Sequence, residues 1–75
     1  MPTITGRIVV VQESRFRLIN DAGQARLFLL APNAPLEPED LGPLQRRQAM
    51  VRVTYEDAPG LIAGVAQQIE AVVPN

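Results

Sequence analysis

Seventy-five residues with no cysteine and no histidine, seven basic against eight acidic side chains and a net charge of −1, bound what this chain can be. A disulfide framework and thiolate metal sites are excluded, and the commonest general base and metal ligand is missing. Near-neutral charge argues against a sequence-independent nucleic-acid binder held by many phosphate contacts. Residues 1–75 are expected to form one domain, and because so short a chain buries only about 60% of its unfolded surface, packing or oligomerisation must stabilise it. With 47% apolar residues and little net charge it should fold. The start, MPTITGR, lacks a charged segment followed by an apolar run, and nothing approaches the roughly 18 apolar residues of a membrane span. A cytoplasmic protein with no membrane partner is the expectation.

The first expected strand covers 4–11, GRIVVV with its β-branched content, and Gly6 within it marks a bulge or bend. After the polar turn Gln12, Glu13, Ser14 a second strand runs over 15–20. Period-two alternation sends Phe16 and Leu18 to one face, and Arg15, Arg17 and Ile19 to the other. Asp21, Ala22, Gly23 and Gln24 form the next turn, with Gly23 suited to a positive φ, and a third strand covers 25–30.

Facing parity sets the pairing, because a slip of one residue turns every side chain over. An even loop around Ala22 and Gly23 pairs Leu18 with Leu27 and Phe16 with Leu29, while Ile8 meets Leu18 and Val10 meets Phe16. The inner face is then Ile8, Val10, Phe16, Leu18, Leu27 and Leu29.

Prolines at 32, 35, 38 and 43 and the acids Glu37, Glu39 and Asp40 end the meander. A short helix is expected over 41–48, with a separate helical turn at Pro38, acidic residues ahead of it, and Arg46 and Arg47 near its end. Leu41 and Leu44 share its buried side. Strand four covers 50–55 with Val51, Val53 and Tyr55 inward. A loop follows over 56–64, and a weaker fifth strand over 65–73 centres on Ile69.

Strands GRIVVV, RFRLINDAG, ARLFLL and MVRVTY, with PEDLGPLQRR between the third and fourth, give the order β1-β2-β3-α-β4-β5. This mainly β arrangement resembles the oligonucleotide/oligosaccharide-binding (OB) fold, a five-stranded barrel with one short helix between strands three and four. An SH3-like or Sm-like small barrel is the alternative, although Sm-like folds begin with a helix and this chain begins with a strand. The resemblance implies a binding role, with ligand on the outer face of strands two and three, flanked by the first hairpin and the loop before the last strand.

On the expected register the outer face carries rows Val9–Arg17–Phe28, Arg7–Ile19–Arg26 and Val11–Arg15–Leu30. Arginine and apolar side chains interleave there. One reading makes Phe28 a stacking platform for single-stranded nucleic acid with arginines on the phosphates, worth roughly 1–3 kcal/mol per stacked base. The bland reading has the arginine stems lying over Phe28, Val9 and Ile19 as ordinary snorkelling packing. A third makes the same face a protein interface or a homodimer contact, with open strand edges as a second route to pairing. The candidate ligand- or partner-binding residues are Arg7, Arg17, Ile19, Arg26 and Phe28, with Arg52 flanking if strand four continues the surface. Leu61 and Ile62 are expected to close the core under their loop in preference to forming a ligand lip.

Catalysis has poor support. Ser14 has no histidine to activate it, no lysine is present for a Schiff base, and the acids at 37–40 read as solvated capping charge. The five glycines form no phosphate-binding loop, and carboxylates alone lack calcium-loop spacing. A non-enzymatic module without cofactor or metal is therefore expected.

Overall fold

Apolar side chains recurring at every second residue make most of these segments strands. A computed structural model of the chain describes residues 1–72 and contains β1 (Thr3–Gln12), β2 (Arg15–Asn20), β3 (Ala25–Leu30), β4 (Met50–Asp57) and β5 (Gly64–Ala71). They form a closed barrel in the order β1-β2-β3-β5-β4, with β1 paired to β4 and β3 running parallel to β5. A mainly β closed barrel with its one short helix between β3 and β4 is consistent with an OB-like fold. Val73, placed in the fifth strand on sequence grounds, lies outside the described residues.

The connection between β3 and β4 begins with Ala31, whose N–H continues the β3–β5 contact by bonding the Ala66 carbonyl. It then holds a 3-10 turn at Pro38–Asp40 and α1 (Leu41–Arg46), whose buried side is Leu41 and Leu44. The Asp40 carboxylate accepts the Glu37 N–H at 3.0 Å, so one of the expected capping charges caps. The helix is two residues shorter than 41–48 because Gln48 adopts φ 53°. Its N–H then bonds the Gln45 carbonyl and that of Ala49 bonds the Leu44 carbonyl, a Schellman end built without glycine.

The first hairpin bears out half of the expected register. Ile8 does meet Leu18, but β1 and β2 are joined by the two residues Glu13 and Ser14, and Val11, not Val10, meets Phe16. A bulge between Ile8 and Val10 absorbs the difference. Val10 is therefore turned outward, 47% exposed, instead of inward. Gly6 is not that bulge. It sits where β1 pairs with Asn20 on one side and Val51 on the other, and a Cβ there would lie 2.2 Å from the Ile19 carbonyl oxygen. Only glycine permits so close an approach of two strands.

The second hairpin departs from expectation by one residue throughout. Its loop is the odd one, Asp21, Ala22 and Gly23, with Gly23 at φ 80° and the Asn20 side-chain oxygen accepting the N–H groups of Ala22 and Gln24, both at 3.0 Å. Three-residue hairpins of this form are common, with the last loop residue left-handed. Phe16 consequently meets Phe28, Arg17 meets Leu27 and Leu18 meets Arg26. Phe28 and Leu30 enter the core in place of Leu27 and Leu29.

The core gathers Ile8, Phe16, Leu18, Phe28, Leu30, Leu41, Leu44, Val51, Val53, Tyr55, Ala66 and Ile69. The inward placing of Val51, Val53 and Tyr55 agrees with the sequence alternation, and the fifth strand is centred near Ile69, which is buried. Phe28 stacks on Phe16 with centroids 5.4 Å apart and meets Tyr55 edge-on at 5.1 Å. Room for this comes from Gly64, where a Cβ would stand 3.0 Å from the Phe28 ring and 3.1 Å from that of Tyr55.

Candidate partner-binding face

The corrected register rewrites the outer surface of β1–β3. Cross-strand rows now read Arg7–Ile19–Ala25, Val10–Arg17–Leu27 and Gln12–Arg15–Leu29. Arg7, Arg15, Arg17 and Ile19 are exposed, and Leu27 and Leu29 are half-buried among them. Val9 and Val10 stand together at the bulge, each bordering a groove. One, about 230 Å³, is lined by Val10, Gln12, Arg15, Arg17 and Leu27 with the edge of Phe16. The other, about 340 Å³, lies between Arg7, Val9 and Ile19 on the sheet and Gln45 and Gln48 beyond the strands. Gln45 donates its side-chain N–H to the Val9 carbonyl at 2.9 Å, tying the helix to the bulge.

Of the six residues singled out from the sequence, Arg7, Arg17 and Ile19 come together here. Arg52 is exposed on β4 opposite Thr5 and Glu70, the row beside the one in which Arg7 meets Met50, so it flanks the face. Phe28 and Arg26 do not belong to it. Phe28 is fully buried, which corrects its placing as an outward platform. Arg26 shares the inner phase of Phe28 and covers the barrel mouth. Its guanidinium lies 4.6 Å from the Tyr55 ring centroid and 5.6 Å from that of Phe28, donates to the Tyr55 hydroxyl at 3.1 Å and pairs with Asp57. Both corrections follow from the odd loop, which inverts β3 and leaves β2 as expected.

Sequence reasoning passed over Val10 and Leu27 as core residues. The signal available for Leu27 was the Asn20-to-Gln24 turn chemistry, which favours a three-residue loop; for Val10 the sequence carries no comparable mark. Leu61 and Ile62 do not close the core either: Ile62 is 97% exposed, and Ala63 fills the position beneath.

The electrostatics of the face are one-sided. Ion pairing among the described residues is confined to Arg26 and Asp57, leaving Arg7, Arg15 and Arg17 without a carboxylate partner, and no acidic residue stands in the three rows. The aromatic inventory is spent elsewhere. The chain has two phenylalanines, one tyrosine and no tryptophan, and all three rings are buried in the core. No protein-family model matches this chain, and neither the curated proteins nor the solved structures yield a match. Among the described residues there is no group of three or more side chains suited to a metal, and no helix is long and apolar enough to cross a membrane.

Proposed function

We propose that this chain is a non-enzymatic binding module of the OB superfamily, and that its partner is a protein segment bearing carboxylates among apolar side chains. The observation that carries the reading is the composition of the outer face of β1–β3. Three exposed arginines that pair with no carboxylate surround Val9, Val10, Ile19 and Leu27, and all three aromatic rings are buried in the core. Arginine beside aliphatic surface is typical of protein interfaces, and a guanidinium fork takes a carboxylate bidentately. Single-stranded nucleic acid draws much of its affinity from bases stacked on aromatic platforms. That term is missing here, which leaves phosphate contacts alone to favour such a ligand.

Affinity capture on the immobilised chain, with oligothymidylate titration in parallel, tests this. A protein retained by the native chain and lost with Ile19→Glu or Arg17→Glu, at unchanged far-ultraviolet spectrum, is the expected result. Oligonucleotide binding that falls steeply with salt and is lost in the same variants would instead establish the nucleic-acid reading.

A further inference from the structure

The barrel is closed by only three residue pairs between β3 and β5, Phe28–Gly64, Leu29–Val65 and Leu30–Ala66. Beyond them β5 continues to Ala71 with β4 as its one neighbouring strand. The hydrogen-bond phase on that side is set by the Val72 N–H, which bonds the Met50 carbonyl at 2.8 Å. Antiparallel ladders alternate, so Glu70 and Gln68 exchange their bonds with Arg52 and Thr54 of β4. The backbone groups of Ile69 and Ala71 therefore point away from β4, to the side that β3 has left. Among the described residues they meet no backbone partner. The single bulge of this strand falls at Gln67, between Ala66 and Gln68, so residues 68–71 form a regular open edge. It carries no lysine, proline or inward charge, and its one charged side chain is the exposed Glu70.

We propose that this edge pairs with the same edge of a second copy of the chain, antiparallel about a two-fold axis, with Ile69 opposite Ile69. The register follows from charge. Centring the pair on Glu70 would set two carboxylates directly opposite one another, which is unfavourable. Centring it on Ile69 sets Glu70 opposite Gln68 of the second copy, where the amide N–H donates to the carboxylate, and the two-fold repeats that bond. The same register pairs the outward N–H and C=O groups of Ile69 with those of the second copy's Ile69 and sets Ala71 opposite Gln67, the residue of the bulge. A two-fold contact requires a surface complementary to itself, and this one is. The edge is distinct from the outer face of β1–β3, which stays available to another partner.

Ala71→Pro tests the proposal with little disturbance of the fold, because the N–H it removes serves no bond to β4 and proline is tolerated on an edge strand in that position. The native chain should show a concentration-dependent rise toward twice its mass in light scattering, and Ala71→Pro should stay monomeric with an unchanged far-ultraviolet spectrum. Amide hydrogen exchange on the native chain supplies a readout free of any variant. The Ile69 and Ala71 amides should become protected as concentration rises, while those of Gln68 and Glu70 are protected throughout. A native chain that remains monomeric at the highest soluble concentration overturns the proposal. So does a dimer in which the Ile69 and Ala71 amides exchange freely.

Discussion

The second and third strands lie side by side in one hairpin, yet sequence reasoning orients one correctly and the other upside down. In β2 the alternation Arg15-Phe16-Arg17-Leu18 is polar on one face and apolar on the other, so only one orientation buries the apolar set. In β3 both faces are candidates for the core: Arg26, Phe28 and Leu30 on one, Ala25, Leu27 and Leu29 on the other. Hydrophobic pattern cannot choose between them, and the choice passes to the loop, where one residue more or less reverses the parity. Asn20 closing over Ala22 and Gln24 and Gly23 in the left-handed region select the odd loop. The cost of Arg26 on the inner side is met at the barrel mouth, where its guanidinium bonds the Tyr55 hydroxyl, pairs with Asp57 and lies against the Tyr55 and Phe28 rings.

The comparison is broken most directly at Phe28. Phe28→Ala should lose about 3–5 kcal/mol of unfolding free energy, a large part of what so small a domain has, whereas Leu27→Ala on the outer face should lose roughly 1 kcal/mol. Urea unfolding of the two variants measures both, and the reverse order would restore the even loop.

The turn itself is sharpened by Gly23→Ala and Asn20→Ala. The first places a Cβ in a left-handed conformation, and the second removes the oxygen that accepts two loop N–H groups. Each should cost about 1 kcal/mol. An effect indistinguishable from zero in both would mean that the loop does not hold the register. The smallest effect belongs to Asp57→Asn. Its partner Arg26 is one-third exposed and Asp57 itself 68% exposed, so the loss should stay below about 1 kcal/mol and shrink further in high salt.

Much of the architecture was legible from residues alone. The number and order of strands, the helix between β3 and β4 with Leu41 and Leu44 inward, the separate turn at Pro38 and the inner faces of β2 and β4 all follow from periodicity and from where proline and glycine fall. These are local signals, set by residues a few positions apart. In β5, by contrast, the bulge at Gln67 turns both Ala66 and Ile69 inward, a pattern that alternation does not give. The candidate face was legible only where it lies on strands of unambiguous pattern: Arg7, Arg17 and Ile19 were placed correctly, Phe28 and Arg26 were not.

What the tertiary structure alone decided is nonlocal. The Val9–Val10 bulge exists because a two-residue loop at one end of β1 must be reconciled with the Ile8–Leu18 contact and with Gly6 wedged between two neighbouring strands. The short β3–β5 seam exists because β3 turns away at Ala31, and this leaves residues 68–71 of β5 as an edge. Sequence pattern determined that arginine and aliphatic side chains would share the outside of this barrel. It also sent Phe16 and Tyr55 inward; the odd loop of the second hairpin decided that Phe28 would join them, against Tyr55 in the space that Gly64 leaves.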